Sequence, residues 1–131
     1  EVDSELIFRL ADRFAPEGPI GQEGLKKALA LCRGQMSAVL ASRLDPLTIT
    51  VLKGNKPLCL RIHRQHRVVL YASDDAFIDF AVDNEKGWRE LEVPPMTMLT
   101  IRHEDVRAIE NSEFRFIPQE RKGTLPEGVN A

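Results

Sequence analysis

LCRGQMSAVLASRLDPLTITVL, residues 31–52, is where the texture of the chain changes. Up to Gly34 the apolar residues recur at helical spacing; after it they run on or alternate. MSAVLAS (36–42) is a continuous apolar and weakly polar run, too short for a typical helix. RLDP (43–46) supplies a turn, and LTITVL (47–52) alternates threonine with apolar and β-branched residues, the pattern of a half-buried strand. The stretch predicts two strands joined by a turn.

Upstream, Leu6, Ile7, Leu10, Ala11 and Phe14 share one helical face from Ser4 onward, and APEGPIG (15–21) ends that helix with its prolines and glycines. A second helix is expected over residues 22–32, with Leu25, Ala28, Leu29 and Cys32 on one face and Gly34 placed to terminate it. Downstream, GNKP (54–57) reads as a loop, and LCLRIHRQHRVVLYAS (58–73) as two more strands with RQHR at their turn. ASDDAFIDFAVDN (72–84) predicts one short helix, capped by Ser73 or Asp74, that buries Phe77, Ile78, Ala81 and Val82. WRELEV (88–93) and MTMLTI (96–101) read as a last pair of strands across the Pro94-Pro95 break. FRFI (114–117) offers one further strand before the chain turns polar. The order of helix, helix, strands, helix, strands predicts a layered α+β fold rather than strict βαβ alternation.

The chain has 131 residues, 43% of them hydrophobic, enough for one core and too few for two independent domains. Its 18 basic and 20 acidic residues leave a net charge of -2, so no global field draws it to nucleic acid or an anionic membrane. No apolar run approaches the roughly 18 residues a membrane span needs. Cys32 and Cys59 sit in apolar contexts, which fits reduced, buried thiols in a cytoplasmic protein better than a disulfide framework. A first residue of glutamate, not methionine, suggests a processed chain or an excerpt from a longer one.

Several clusters invite a chemical reading. His63 and His66, with Arg61, Arg64 and Arg67, form the densest basic patch, but a zinc site would lack its third and fourth ligands, with His103 alone and both cysteines in apolar runs. A solvated hairpin face is the expectation; without interleaved aromatics the patch is also a poor nucleic-acid surface. Ser73, Asp74 and Asp75 have no histidine partner or nucleophile elbow, and read as helix caps. Gly54 lacks the companions of a phosphate-cradling loop. Asp3, just before the first helix, can either accept that helix's free N–H groups or pair with a ligand's ammonium.

The succession of EVDSELI, LCRGQMSAVLAS, GNKPLCL and VVLYASD, with WRELEVPPMTMLTI behind it, resembles the second half of the class II glutamine amidotransferase domain, most closely the glucosamine-6-phosphate synthase type. The resemblance implies the N-terminal-nucleophile hydrolase fold, a four-layer αββα sandwich of which this chain is about half. Residues 1–117 are then the C-terminal portion of that domain, and residues 118–131 a polar, loosely held tail. It also implies the reaction, hydrolysis of L-glutamine to glutamate with ammonia passed to a synthase domain, and no cofactor. The nucleophile is an N-terminal cysteine whose α-amino group acts as base. That cysteine belongs to the half preceding Glu1, and neither Cys32 nor Cys59 replaces it, so no catalytic residue is expected here and the chain alone should be inactive. One functional residue carries over: Asp3, matching the aspartate that receives the α-ammonium of glutamine. A catalytically silent scaffold, or a regulatory or ligand-binding module of the same fold, is the alternative. A half-domain should also expose unpaired strand edges and self-associate.

Overall fold

The computed structural model describes residues 4–118. Two helices lead the chain, α1 (Ser4–Arg13) and α2 (Gln22–Leu29), burying Ile7 and Ala11 from the first and Leu25 and Leu29 from the second. α2 closes one turn earlier than its apolar face predicts: Ala30 caps it, Leu31 is exposed, and Gly34 lies beyond it at positive φ. The strands are β1 (Arg33–Gly34), β2 (Ser37–Ser42), β3 (Asp45–Lys53), β4 (Cys59–His63), β5 (Val68–Ala72), then, after helix α3 (Asp75–Val82), β6 (Trp88–Leu91), β7 (Thr97–Arg102), β8 (Asp105–Glu113) and β9 (Ile117–Pro118).

They form a four-stranded antiparallel sheet in the order β2-β3-β7-β8, a three-stranded antiparallel sheet in the order β5-β4-β6, and a short parallel pair of β1 with β9. Strand alternation gives the larger sheet two apolar faces. Leu40, Leu52 and Met98 meet the helix residues together with Met36, Phe114 and Phe116 in one core. Val51, Leu99, Ile101 and Val106, on the other face, meet Leu60 and Ile62 of β4 in a second. Each fully buried Leu or Met contributes about 1.5–3 kcal/mol from removed apolar surface, so both cores matter. On β4, Arg61 alternates with Leu60 and Ile62 and so points away from the second core. There its guanidinium holds α3 through Asp75 (3.1 Å) and Asp79 (2.7 Å).

The architecture is mixed α and β with several sheets, an α+β arrangement. It corrects the sequence reading in four places. β6 and β7 are not partners: β6 pairs with β4 and β7 with β3 and β8, so the Pro94-Pro95 segment carries the chain from one sheet to the other. β8 is a full nine-residue strand where none was expected. Phe114 and Phe116 are buried without lying in a strand, and the pairing falls on Ile117–Pro118. On α3, Ile78 and Val82 are buried as expected, but Phe77 and Ala81 are exposed, because the sheet-facing side is completed by Asp75 and Asp79 on Arg61.

Candidate functional site

β2 and β5 each stand at one edge of their sheet, as β8 and β6 stand at the other, and residues of β2 and β5 line a shared groove. Between them runs a groove of about 420 Å³, lined by Ser37 at the start of β2, by Lys56, Pro57 and Leu58 after β3, and by Tyr71, Ala72 and Ser73 at the end of β5. Three stretches remote in sequence, GQMS, GNKPL and YAS, are thus brought to one place.

Close local chemistry holds the groove wall in shape. The Gly54 N–H donates to Ser37 Oγ (3.1 Å), and Ser37 Oγ donates to the Lys56 carbonyl (2.7 Å). The Met36 N–H donates to Asn55 Oδ1 (2.9 Å), and the Lys56 N–H returns to the Met36 carbonyl (3.4 Å). Gly54 is required by space: a Cβ there would overlap the Met36 carbonyl oxygen and stand 2.9 Å from the Phe116 ring. The loop GNKP therefore stitches β3 onto the start of β2 and has no open cradle for a phosphate.

Asp3 lies outside the described residues; it precedes Ser4, the first residue of α1. α1 ends beside the β2–β3 turn, where Phe8, Ala11, Asp12 and Ala15 share a cavity with Ala41, Ser42, Arg43 and Leu44. At about 1.5 Å per residue its ten residues span roughly 15 Å.

Neither thiol is poised for attack. Burial pushes the Cys32 thiol up, and its Sγ donates to the Ala28 carbonyl (3.6 Å). Cys59 is pushed up by burial first and then by Asp75, Asp74 and Glu90, against the smaller opposing pull of Lys53. Both are free and half-buried. Thiols held protonated are poor nucleophiles, and neither Cys32 nor Cys59 lines the groove.

The basic patch is divided by the structure. His63 is not on a solvated face as expected: it is 4% exposed, its Nδ1 accepts the His66 N–H (3.2 Å), and its ring packs against His66 and the edge of Trp88. Gly87 leaves room for it, since a Cβ at Gly87 would strike the imidazole. Arg61 is committed to α3, while Arg64, His66 and Arg67 remain exposed in the turn. Among the described residues no three His, Cys, Asp or Glu side chains gather as a metal site would need. Asp74 is the N-cap of α3, its Oδ1 accepting the Ala76 N–H (2.9 Å), and Asp75 serves Arg61. Sequence reasoning misses the groove itself, because only the pairing of β4 with both β5 and β6 reveals which strands are left at an edge.

Over 74 residues the chain is 35% identical to a glutamine–fructose-6-phosphate aminotransferase (isomerizing) from Shouchella clausii strain KSM-K16. The shared stretch takes in 56% of this chain and 12% of that protein, so the chain spans only a small part of the curated relative it matches. No protein-family profile matches the chain, and no solved structure does. The likeness is to an aminotransferase that carries glutamine in its name. Among the described residues no helix is long and apolar enough to cross a membrane.

Proposed function

We propose that the chain is the C-terminal portion of a class II glutamine amidotransferase domain of the glucosamine-6-phosphate synthase type. In it, Asp3 receives the α-ammonium of L-glutamine. A preceding half-domain supplies the N-terminal cysteine, and the ammonia released passes to a synthase domain. The observation that carries the proposal is the groove: three of the stretches that bear the family resemblance line it, at one edge of each sheet. The partial match to the aminotransferase supports the same family. The order of packing, from helix pair to four-stranded sheet to three-stranded sheet to α3, is compatible with half of an αββα sandwich. Edge strands β2 and β5 are where strands from the other half would continue the two sheets.

Asp3 suits its role because a carboxylate beside a helix start pairs with an ammonium and discriminates glutamine from amides lacking one. The test is glutamine hydrolysis by the chain alone and by the chain joined to its preceding half. Alone it should release no ammonia above the blank; joined, it should. In the joined protein Asp3→Asn should raise KM about 30-fold or more with a smaller effect on kcat, the cost of leaving one member of a buried charge pair unpaired. Ammonia release by the isolated chain, or an unchanged KM in Asp3→Asn, would sink the proposal. A silent scaffold of the same fold is the second reading. The two part on the residues encoded upstream of Glu1: a Met-Cys-Gly start supports the enzyme, unrelated sequence the scaffold.

A further inference from the structure

At the β2–β3 turn, the far end of α1 from the one Asp3 precedes, the helix-facing side of the four-stranded sheet changes from apolar to polar. Leu40, Thr50 and Thr100 are register partners across β2, β3 and β7, and Thr48 pairs with Arg102 one step further along. Thr50, Thr100 and Arg102, together with Gln22 from the first turn of α2, line a cavity of about 60 Å³. At about 30 Å³ of liquid per water such a space holds roughly two waters, room for a carboxylate or a group of similar size and too little for a nucleotide.

Donors with hydrogens left to give line this cavity beside the Asp45 carboxylate and the Gln22 amide oxygen. Gln22 Nε2 donates to Thr100 Oγ1 (2.8 Å), which leaves the Thr100 hydroxyl hydrogen to be given elsewhere. Thr50 is 5% exposed and makes no side-chain hydrogen bond among the described residues, although buried hydroxyls ordinarily find partners. Arg102 gives one amino group to Glu110 (2.8 Å) and retains further N–H groups. The N-cap of α2 is Gly21, which makes no side-chain cap, so the first-turn N–H groups are left without one beside the cavity. Of the acids nearby, Asp45 lines the cavity with its charge unpaired among the described residues, only Oδ1 accepting, from Thr48 Oγ1 (3.2 Å), while Glu110, off the lining, accepts from Arg102.

We propose that this cavity binds a small oxyanion, a carboxylate or phosphate group, seated on the Thr50 and Thr100 hydroxyls and the Arg102 guanidinium against the start of α2. The site is independent of the glutamine reading, sharing none of the residues of the groove or Asp3. A bound oxyanion satisfies the orphaned hydroxyl and competes with Glu110 for Arg102.

The experiment titrates the full chain with inorganic phosphate and, separately, with acetate, against chloride at matched ionic strength, by calorimetry and thermal melting. Saturable binding and a rise in melting temperature are expected for phosphate or acetate and not for chloride; which of the two acts identifies the group recognised. Thr50→Val, which keeps the shape and removes the hydroxyl, should weaken binding about tenfold or more, the loss of one hydrogen bond to a charged acceptor. The same variant should raise the melting temperature of the ligand-free chain, since it removes a buried unpaired polar group. Arg102→Gln, on the half-exposed rim, should weaken binding and reduce its dependence on salt. The proposal is overturned if phosphate and acetate both behave as chloride does, or if Thr50→Val binds as tightly as the parent. Should Thr50→Val not fold, parental affinity in Arg102→Gln overturns it equally.

Discussion

Gly54 is the residue on which the groove wall closes, because the strand before it can approach Met36 and Phe116 only where no side chain intervenes. Gly54→Ala should cost about 1–3 kcal/mol or more, as overpacking of a tight core contact does, and would be measured as a lower urea midpoint with an unchanged m-value. In the sequence Gly54 shows only as part of a loop signal; the close approach depends on residues distant along the chain. His63 escapes the sequence reading for a related reason: in RIHRQHR nearly every neighbour is polar, and nothing in that spacing tells that Trp88 and Gly87 build a wall over one imidazole. The thiols give a pH dependence with a definite sign. Folding raises the pKa of Cys32 and Cys59, so above the ordinary thiol value, about 8.5, the folded chain holds protons that the unfolded chain has released. The associated stability is complete below that pH and is lost as pH rises through the folded values. The urea midpoint should therefore fall above about pH 8.5, and a Cys32→Ala, Cys59→Ala double variant should flatten the fall.

At the scale of elements, α3 shows how a short helix is kept in place. Its eight residues bury only Ile78 and Val82, so the Asp74 cap and the Arg61 fork to Asp75 and Asp79 decide its position. Asp74→Ala should cost about 0.5–2 kcal/mol, the usual value of an N-cap, read as faster amide exchange confined to α3. Arg61→Met should speed the same exchange without moving the β4–β5 hairpin, since the backbone pairing of β4 does not use the guanidinium. Alternation and turn chemistry make the β2–β3 and β4–β5 hairpins legible in the amino-acid sequence, because each is a local event whose turn residues stand between its strands. β8 is not legible there: in DVRAIENSE only Val106 is buried and Ile109 half-buried, so an edge strand facing water has little apolar signal to give. The pairing of β6 and β7 misleads because adjacency in sequence usually means adjacency in space, and the proline pair here marks a change of sheet.

For the whole molecule, the exposed sheet edges govern behaviour in solution, those of β2 and β5 above all because they flank the groove. β2 and β5 leave backbone groups unpaired, and Val68, Tyr71, Phe77 and Phe80 are exposed on or beside β5. Such a surface should join to a second copy when its proper neighbour is missing. Sedimentation of the isolated chain should show association that rises with concentration, and Tyr71→Lys should reduce it; a chain that stays monomeric throughout would count against an unfinished domain. The clasp of β1 with β9 acts at this scale as well. Arg33 and Gly34 meet Ile117 and Pro118, the last residues described, and the Ile117 N–H reaches back to the Cys32 carbonyl (2.8 Å). Closing so long a loop with so few bonds is entropically costly until both sheets already stand. The clasp should therefore be the last contact to form during refolding and the first released on heating, a latch whose opening frees the end of α2 before either sheet gives way.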